Sequence, residues 1–336
     1  MEQDRSLNTE VYGTLGPACA DAEILRDMLA LGMTGVRLNL SHMSLPDAKP
    51  MLAALNRAVS ESGKLCKLLI DMQGPELRIG ALKRPLHLSE GMRIDLGALS
   101  LPAVIREVIR SGQEILLDDG KLLLQAESNS TAVVKRGGIL TGRKSIALPG
   151  TEILLPPLTD SDLDNIACAS DFGVTGVMQP FVRSAEDLKN VRAALDAADG
   201  QNIRLFAKIE DLKGVSCLPE LQDATDEIVI ARGDLGNAMP LWQLPAVQKR
   251  IAACCKASGK PFMVVTQMLS SMEQNAVPTR AEVSDIFNAV LDGAASVMVT
   301  GETAAGKHPR EVIRYLANTA AEAEQYLQNC GNVRIL

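Results

Sequence analysis

Lys208-Ile209-Glu210 closes the apolar, strand-like run Arg204-Leu205-Phe206-Ala207 with a cation and an anion two residues apart. Side chains two apart on a strand share a face, so both charges project together. The run Glu227-Ile228-Val229-Ile230-Ala231 ends in the same way, in Arg232-Gly233-Asp234. A cation and two carboxylates at strand ends are the parts of a metal-phosphate site. Glu210 and Asp234 suit Mg²⁺, which binds through one or two carboxylates and leaves its other positions to water and substrate oxygens. Lys208 and Arg37 would then meet phosphate charge.

Other strand-like runs end in polar residues too. Arg37-Leu38-Asn39-Leu40-Ser41-His42 puts Arg37, Asn39 and Ser41 on one face by strand parity. Ile70-Asp71-Met72-Gln73-Gly74-Pro75 ends a third run, and Thr266-Gln267 a seventh. Any one of these charges could simply pair with a neighbour and end its strand. As a set they bring three acids (Asp71, Glu210, Asp234) and three bases (Arg37, Lys208, Arg232) to one end of the fold. Buried charge is expensive unless paired or metal-bound, so such a convergence points to a site.

The elements that must position these residues are short Val/Ile/Leu/Met-rich runs alternating with segments of helical period. That alternation predicts buried parallel strands with helical crossovers. Eight runs stand out, near 9–15, 34–41, 64–72, 175–182, 204–210, 227–233, 261–267 and 295–300. Helical segments follow most of them, at 21–31, 45–62, 160–171, 185–198, 244–258, 280–292 and 309–327. The expected fold is α/β, a (β/α)8 TIM barrel whose C-terminal strand ends carry the chemistry. After the third run about 85 residues pass before the next helix, too many for a structureless loop. Residues 78–145 read as short strands and turns, with Asp118-Asp119-Gly120 as a hairpin signal. The expected organisation is a barrel of 1–77 and 146–336, with 78–145 inserted after the third strand as a small β-rich lid domain.

The bulk properties exclude several classes. A net charge of −7 with mixed signs offers no basic stripe for a nucleic-acid backbone, and 3% aromatics offer few stacking platforms. The seven cysteines are scattered without a CxxC pair, which suits a reducing compartment. No run nears the roughly 18 to 20 apolar residues of a membrane span, and Met1-Glu2-Gln3-Asp4-Arg5 lacks a signal-peptide pattern, so a cytoplasmic location is expected. Gly301-Glu302-Thr303-Ala304-Ala305-Gly306-Lys307-His308 nearly matches a P-loop, but His308 stands where the magnesium-binding Ser/Thr belongs. His42, His87 and His308 lack zinc spacing, and His87 is expected to face solvent. Cys254-Cys255 falls within a helical pattern and reads as packed core.

At these residues the chain resembles pyruvate kinase, over approximately 9–327 and in order along the chain. The matching segments include Thr14-Leu15-Gly16-Pro17, Arg37-Leu38-Asn39-Leu40-Ser41-His42, Asp71 with Gly74-Pro75-Glu76-Leu77-Arg78, and Asp118-Asp119-Gly120. Lys144 with Leu148-Pro149-Gly150, Lys208-Ile209-Glu210 and Ala231-Arg232-Gly233-Asp234-Leu235-Gly236 follow. Thr266-Gln267-Met268, Pro278-Thr279-Arg280-Ala281-Glu282 and Gly301-Glu302-Thr303-Ala304 complete the series. The resemblance implies phosphoryl transfer from phosphoenolpyruvate to ADP, giving pyruvate and ATP. It implies Lys208, Thr266 and Arg37 as catalytic residues, and Arg37, Lys208, Gly233, Asp234 and Thr266 as contacts to substrate. Glu210 and Asp234 would hold Mg²⁺ or Mn²⁺. Asn39, Ser41, Asp71 and the carbonyl of Met72 would hold K⁺, and Glu76 matches the form associated with potassium dependence. Arg78, Lys144, Asn39 and His42 would meet the nucleotide.

The chain departs from the family pattern in three ways. It stops after the helical segment that follows the eighth strand-like run, so the family's C-terminal regulatory domain is expected to be absent, leaving barrel contacts as the route to any homo-oligomer. The insertion is shorter than usual. Met72-Gln73 replaces Thr-Lys, Met43 replaces a Gly, and Pro180 replaces a Ser before Phe181-Val182-Arg183. A changed wall leaves open a related enzyme acting on another small enol, acid or amine. A non-catalytic phosphoenolpyruvate sensor and a carbon-carbon lyase on a related barrel are the remaining readings.

Overall fold

Each of the eight apolar runs forms a parallel strand. These are β1 (Glu10–Thr14), β2 (Gly35–Asn39), β3 (Lys67–Asp71), β4 (Gly176–Gln179), β5 (Arg204–Ile209), β6 (Glu227–Ala231), β7 (Phe262–Val265) and β8 (Ser296–Met298). They pair in sequence order, and β1 joins β8 through Val11↔Val297 to close a barrel. The computed structural model describes residues 8–329 apart from 42, 119, 152 and 154. The chain divides into two compact units, one of residues 1–74 with 157–336 and one of 75–156. Sequence placed these limits at 78 and 145.

Eight principal helices cover the barrel: α1 (Ala22–Ala30), α2 (Lys49–Ser62), α3 (Asp160–Ala167), α4 (Ala185–Ala197), α5 (Leu212–Leu221), α6 (Leu244–Ser258), α7 (Arg280–Leu291) and α8 (Pro309–Asn329). Their starts are fixed locally. Asp21, Ser184 and Asp211 cap α1, α4 and α5 with side-chain oxygens, and Thr159/Asp162 and Thr279/Glu282 form reciprocal capping boxes at α3 and α7. Each cap satisfies amides that the first helical turn leaves without partners. Helix α5 has no counterpart among the expected segments, because Gly214 and Pro219 interrupt its pattern.

Strand parity divides the apolar residues into two layers. Val11, Val36, Leu68, Val177, Ile228, Val264 and Val297 face outward to the helices. Tyr12, Leu69, Met178, Phe206, Val229, Met263 and Met298 fill the barrel. The two largest interior rings take space left by glycines: a Cβ on Gly35 would overlap the Tyr12 ring, and one on Gly176 would overlap Phe206. At the N-terminal strand ends the filling turns polar. The Tyr12 hydroxyl donates to Glu10 at 2.5 Å, and Glu10 pairs with Lys67. Arg204 pairs with Glu227 at 3.0 Å, and Glu227 accepts from the Ser296 hydroxyl at 2.5 Å.

The 75–156 unit has its own core of Ile105, Ile115, Leu117, Leu124, Val134 and Leu140. Its antiparallel sheet orders the segments Ile146–Ala147, Glu114–Leu117, Leu122–Ala126, Thr131–Arg136 and Arg93–Asp95, and Leu86–Leu88 pairs separately with Gly138–Leu140. Leu117 faces Leu122 across the expected hairpin, where Asp118 and Gly120 adopt φ of 51° and 77°. His87 is exposed.

Candidate active site

The C-terminal ends of β2, β3 and β5 bring four of the expected residues into one chain of charge. The register sets Arg37 beside Leu69 and Asn39 beside Asp71, so Arg37 and Asp71 face the barrel interior with Leu69. Arg37 Nη2 lies 2.5 Å from Asp71 Oδ2, and its Nε donates to the same oxygen at 3.0 Å. Lys208 Nζ reaches both Asp71 oxygens at 3.2 Å and Glu210 Oε1 at 2.9 Å. Glu210 Oε2 accepts from the Phe181 amide at 2.8 Å.

Burial opposes charge on Asp71, yet Lys208 and Arg37 outweigh it and hold this carboxyl below its usual range. Burial likewise opposes the Lys208 ammonium, and Asp71 with Glu210 outweighs it, raising the lysine's pKa. Lys208 is therefore a fixed cation. It sits directly above the apolar filling, since Phe206 precedes it on the same strand face.

The remaining barrel residues are placed less uniformly. Asn39 Oδ1 accepts from the Ser41 amide at 3.1 Å, folding Ser41 back over the end of β2 by a side-chain turn rather than by strand parity. Met72 turns its side chain into the layer under the helices, leaving its backbone to the strand end. β6 stops at Ala231, and Arg232–Asn237 is a short helix with Asp234 half-buried in its first turn. Strand parity therefore does not govern Arg232 and Asp234. Arg232 also does not join the acids: it donates to the Thr266 carbonyl and pairs with Asp285 at 2.7 Å. Thr266 is half-buried just beyond β7, and a Cβ on Gly233 would lie 3.1 Å from its Cγ2, so the short helix after β6 abuts the loop after β7.

His42 lies outside the described residues. Arg78 and Lys144 belong to the 75–156 unit. There Arg78 pairs with Glu76 at 2.8 Å and Lys144 with Asp118 at 2.8 Å. The Asp118 carboxyl is partly desolvated, but Lys144 and Lys121 hold it below its usual range.

Among the described residues no cluster of three or more His, Cys, Asp and Glu could hold a metal. Glu210 and Asp234 each offer carboxylate oxygens, which leave the remaining positions of a divalent ion to water and substrate oxygens. That donor set fits Mg²⁺ or Mn²⁺. Asn39, Ser41, Asp71 and the Met72 carbonyl offer only oxygen donors, which fits a larger, softer-held monovalent ion.

Three features were not read from sequence. Asp162 on α3 is fully buried and accepts from the amides of Gln73 at 2.9 Å and Gly74 at 3.0 Å, pinning the turn after Asp71. Its only sequence signal is the capping-box pattern Thr159-x-x-Asp162. Glu302 accepts from the amides of Leu269 and Thr300, tying the β7 loop to the β8 end. Phe181 adopts φ of 50° with its amide on Glu210, directly after Pro180, whose ring packs where a Cβ on Gly74 would fall. The P-loop-like segment does not cradle a ligand with its amides: those of Thr303, Ala304, Ala305 and Gly306 bond to Thr300 or Gly301, and that of Lys307 to Glu273.

The family model of the pyruvate kinase barrel domain matches residues 6–313. Pyruvate kinases of Sporosarcina psychrophila and Geobacillus stearothermophilus are each 34% identical to the chain, over 94% and 96% of its length. The chain spans 57% and 58% of those two relatives. The pyruvate kinase of Aeropyrum pernix is 38% identical over 95% of this chain and 71% of its own. No described helix is long and apolar enough to cross a membrane.

Proposed function

Because the chain belongs to the pyruvate kinase family, we propose that it transfers a phosphoryl group from phosphoenolpyruvate to ADP, yielding pyruvate and ATP. The observation that carries this reading is the buried Lys208 ammonium, held 2.9 Å from Glu210 and 3.2 Å from Asp71 at the mouth of the barrel. Phosphoryl transfer asks a protein mainly for positioning and for fixed countercharge. Lys208 supplies a cation that stays protonated across the physiological range and needs no reorganisation as charge develops on the phosphoryl and enolate oxygens. Arg37, anchored by Asp71 on the adjacent strand β3, orients the phosphate from β2.

Glu210 and Asp234 are the residues that would hold Mg²⁺ or Mn²⁺. Bound there, a divalent ion neutralises and polarises phosphoryl and carboxylate oxygens. Asn39, Ser41, Asp71 and the Met72 carbonyl would hold K⁺. Thr266, abutting Gly233, stands at the enolate methylene and helps deliver its proton. Arg78, Lys144, Asn39 and His42 contact the nucleotide, residues 78–145 act as the lid, and barrel surfaces serve any assembly of copies in the cytoplasm.

The packing of Pro180 against Gly74, where the family carries a Ser, favours a second reading. In it the same lysine and carboxylates phosphorylate another small enol, acid or amine. Incubation with phosphoenolpyruvate, ADP, Mg²⁺ and K⁺ distinguishes the two. Pyruvate release at ordinary enzyme rates supports the first reading. Background turnover sinks it, and phosphorus NMR with candidate acceptors then tests the second.

A further inference from the structure

Thr266 adopts φ of 80° and Gln267 φ of 56°. Left-handed backbone is unfavourable for a β-branched residue such as Thr266, and two non-glycine residues in that region in succession require an external hold. The hold comes from the Arg232 guanidinium. Its Nε and Nη2 donate to the Thr266 carbonyl at 3.1 and 2.7 Å, Nη2 also reaches Met268 Sδ at 2.9 Å, and Nη1 donates to Asp285 at 2.8 Å. Arg232 is 9% exposed, so these bonds face little competition from water. On the far side of the kink Leu269 donates to Glu302 at 3.2 Å. The loop is thus held at both ends, and Arg232 grips the residue that bears the hydroxyl.

We propose that Arg232 is a positioning residue that sets the Thr266 hydroxyl by clamping its main-chain carbonyl, with Asp285 on α7 fixing the guanidinium. The role rests on the reading of Thr266 as the group at the enolate methylene. It assigns Arg232 no contact with phosphate, unlike Arg37 and Lys208. A planar fork is needed to bond one carbonyl twice while pairing with a carboxylate, and lysine cannot reproduce it. The consequence is specific: disturbing Arg232 should impair proton delivery more than phosphoryl transfer.

The test compares two partial reactions in the full chain. ATP formation in a single turnover, with protein in excess over phosphoenolpyruvate and ADP, reports phosphoryl transfer before the enolate has to be protonated and released. Deuterium uptake from D₂O into the methyl group of pyruvate, with Mg²⁺, K⁺ and ATP present, reports removal of a methyl proton to give the enolate and return of a deuteron to the same carbon. In Arg232→Lys deuterium uptake should fall roughly tenfold to a hundredfold, with ATP formation reduced far less. Asp285→Asn should shift the ratio in the same direction by a smaller factor. Equal loss of both reactions, in step with a lowered Tm, overturns the proposal in favour of a purely structural role, as does an unchanged ratio in a folded variant. If the unmodified protein forms no ATP, the functional reading fails. If it does and Arg232→Lys keeps its normal ratio, only the present proposal fails.

Discussion

Glu210 Oε1 forms an ion pair with Lys208 Nζ at 2.9 Å, two residues back along the same strand end. The pair is buried and shares its charge with Asp71 and Arg37. Removing the lysine leaves Glu210 and Asp71 with less countercharge in a desolvated site. Lys208→Met should therefore lower the rate of phosphoryl transfer by at least about 10²- to 10³-fold. It should also cost on the order of 3 to 5 kcal/mol of stability at neutral pH, because a buried ion network loses one partner. Calorimetry with a coupled assay checks both, and an undiminished rate would refute the assigned role.

Glu210→Gln and Asp234→Asn keep side-chain volume while removing anionic oxygen. Each should weaken Mn²⁺ binding by roughly tenfold or more, read by the electron paramagnetic resonance signal of the free ion. Chelation by EDTA should stop turnover, and added Mg²⁺ should restore it. Unaltered Mn²⁺ affinity in both variants would remove these carboxylates from the metal site.

Glu227 and Asp71 should give stability contributions of opposite sign with pH. Burial pushes the Glu227 carboxyl above its ordinary 4.5, against the pull of Ser296 and Arg204. Its neutral form is favoured in the fold, so that contribution is complete below the unfolded pKa and is lost as pH rises through the folded one. The Tm of Glu227→Gln relative to the unmodified protein should be more favourable at pH 7 than at pH 4, and the reverse order would contradict the assignment. Asp71 is held below its ordinary 3.8, so its contribution is present above that value and is lost as pH falls through the lower folded pKa.

Leu124 and Val134 are fully buried in the separate core of residues 75–156. Leu124→Ala should cost about 2 to 5 kcal/mol. Hydrogen exchange should quicken in the strands Glu114–Leu117, Leu122–Ala126 and Thr131–Arg136, while β5 to β8 keep their protection. Uniform acceleration throughout the chain would mean that the two units unfold as one.

The barrel was legible in sequence because its strands are buried on both faces and so appear as uninterrupted apolar runs, such as Leu68-Leu69-Ile70 and Phe262-Met263-Val264-Val265. Helix α5 was hidden by Gly214 and Pro219, residues that its tertiary packing tolerates. The Lys208-Glu210 pair followed from parity, since both lie at the end of one regular strand. Arg232 was misread because an apolar run gives no sign of where the strand yields to a helix, and a side chain leaving that turn obeys helical rather than strand geometry. The Thr266 kink, the Arg232 grip on it and the Asp162 bonds to Gln73 and Gly74 depend on backbone dihedrals and on contacts between distant segments, which local pattern does not encode.

The fit of Tyr12 against Gly35 and of Phe206 against Gly176 makes the size of each ring conditional on the absence of a side chain at the glycine it faces. A lineage that places a side chain at either glycine must shrink the facing ring, or lose the floor on which Lys208 stands. Substitutions at 35 and 12, and at 176 and 206, should therefore travel as pairs, and a library randomising one member alone should return almost nothing but the original residue.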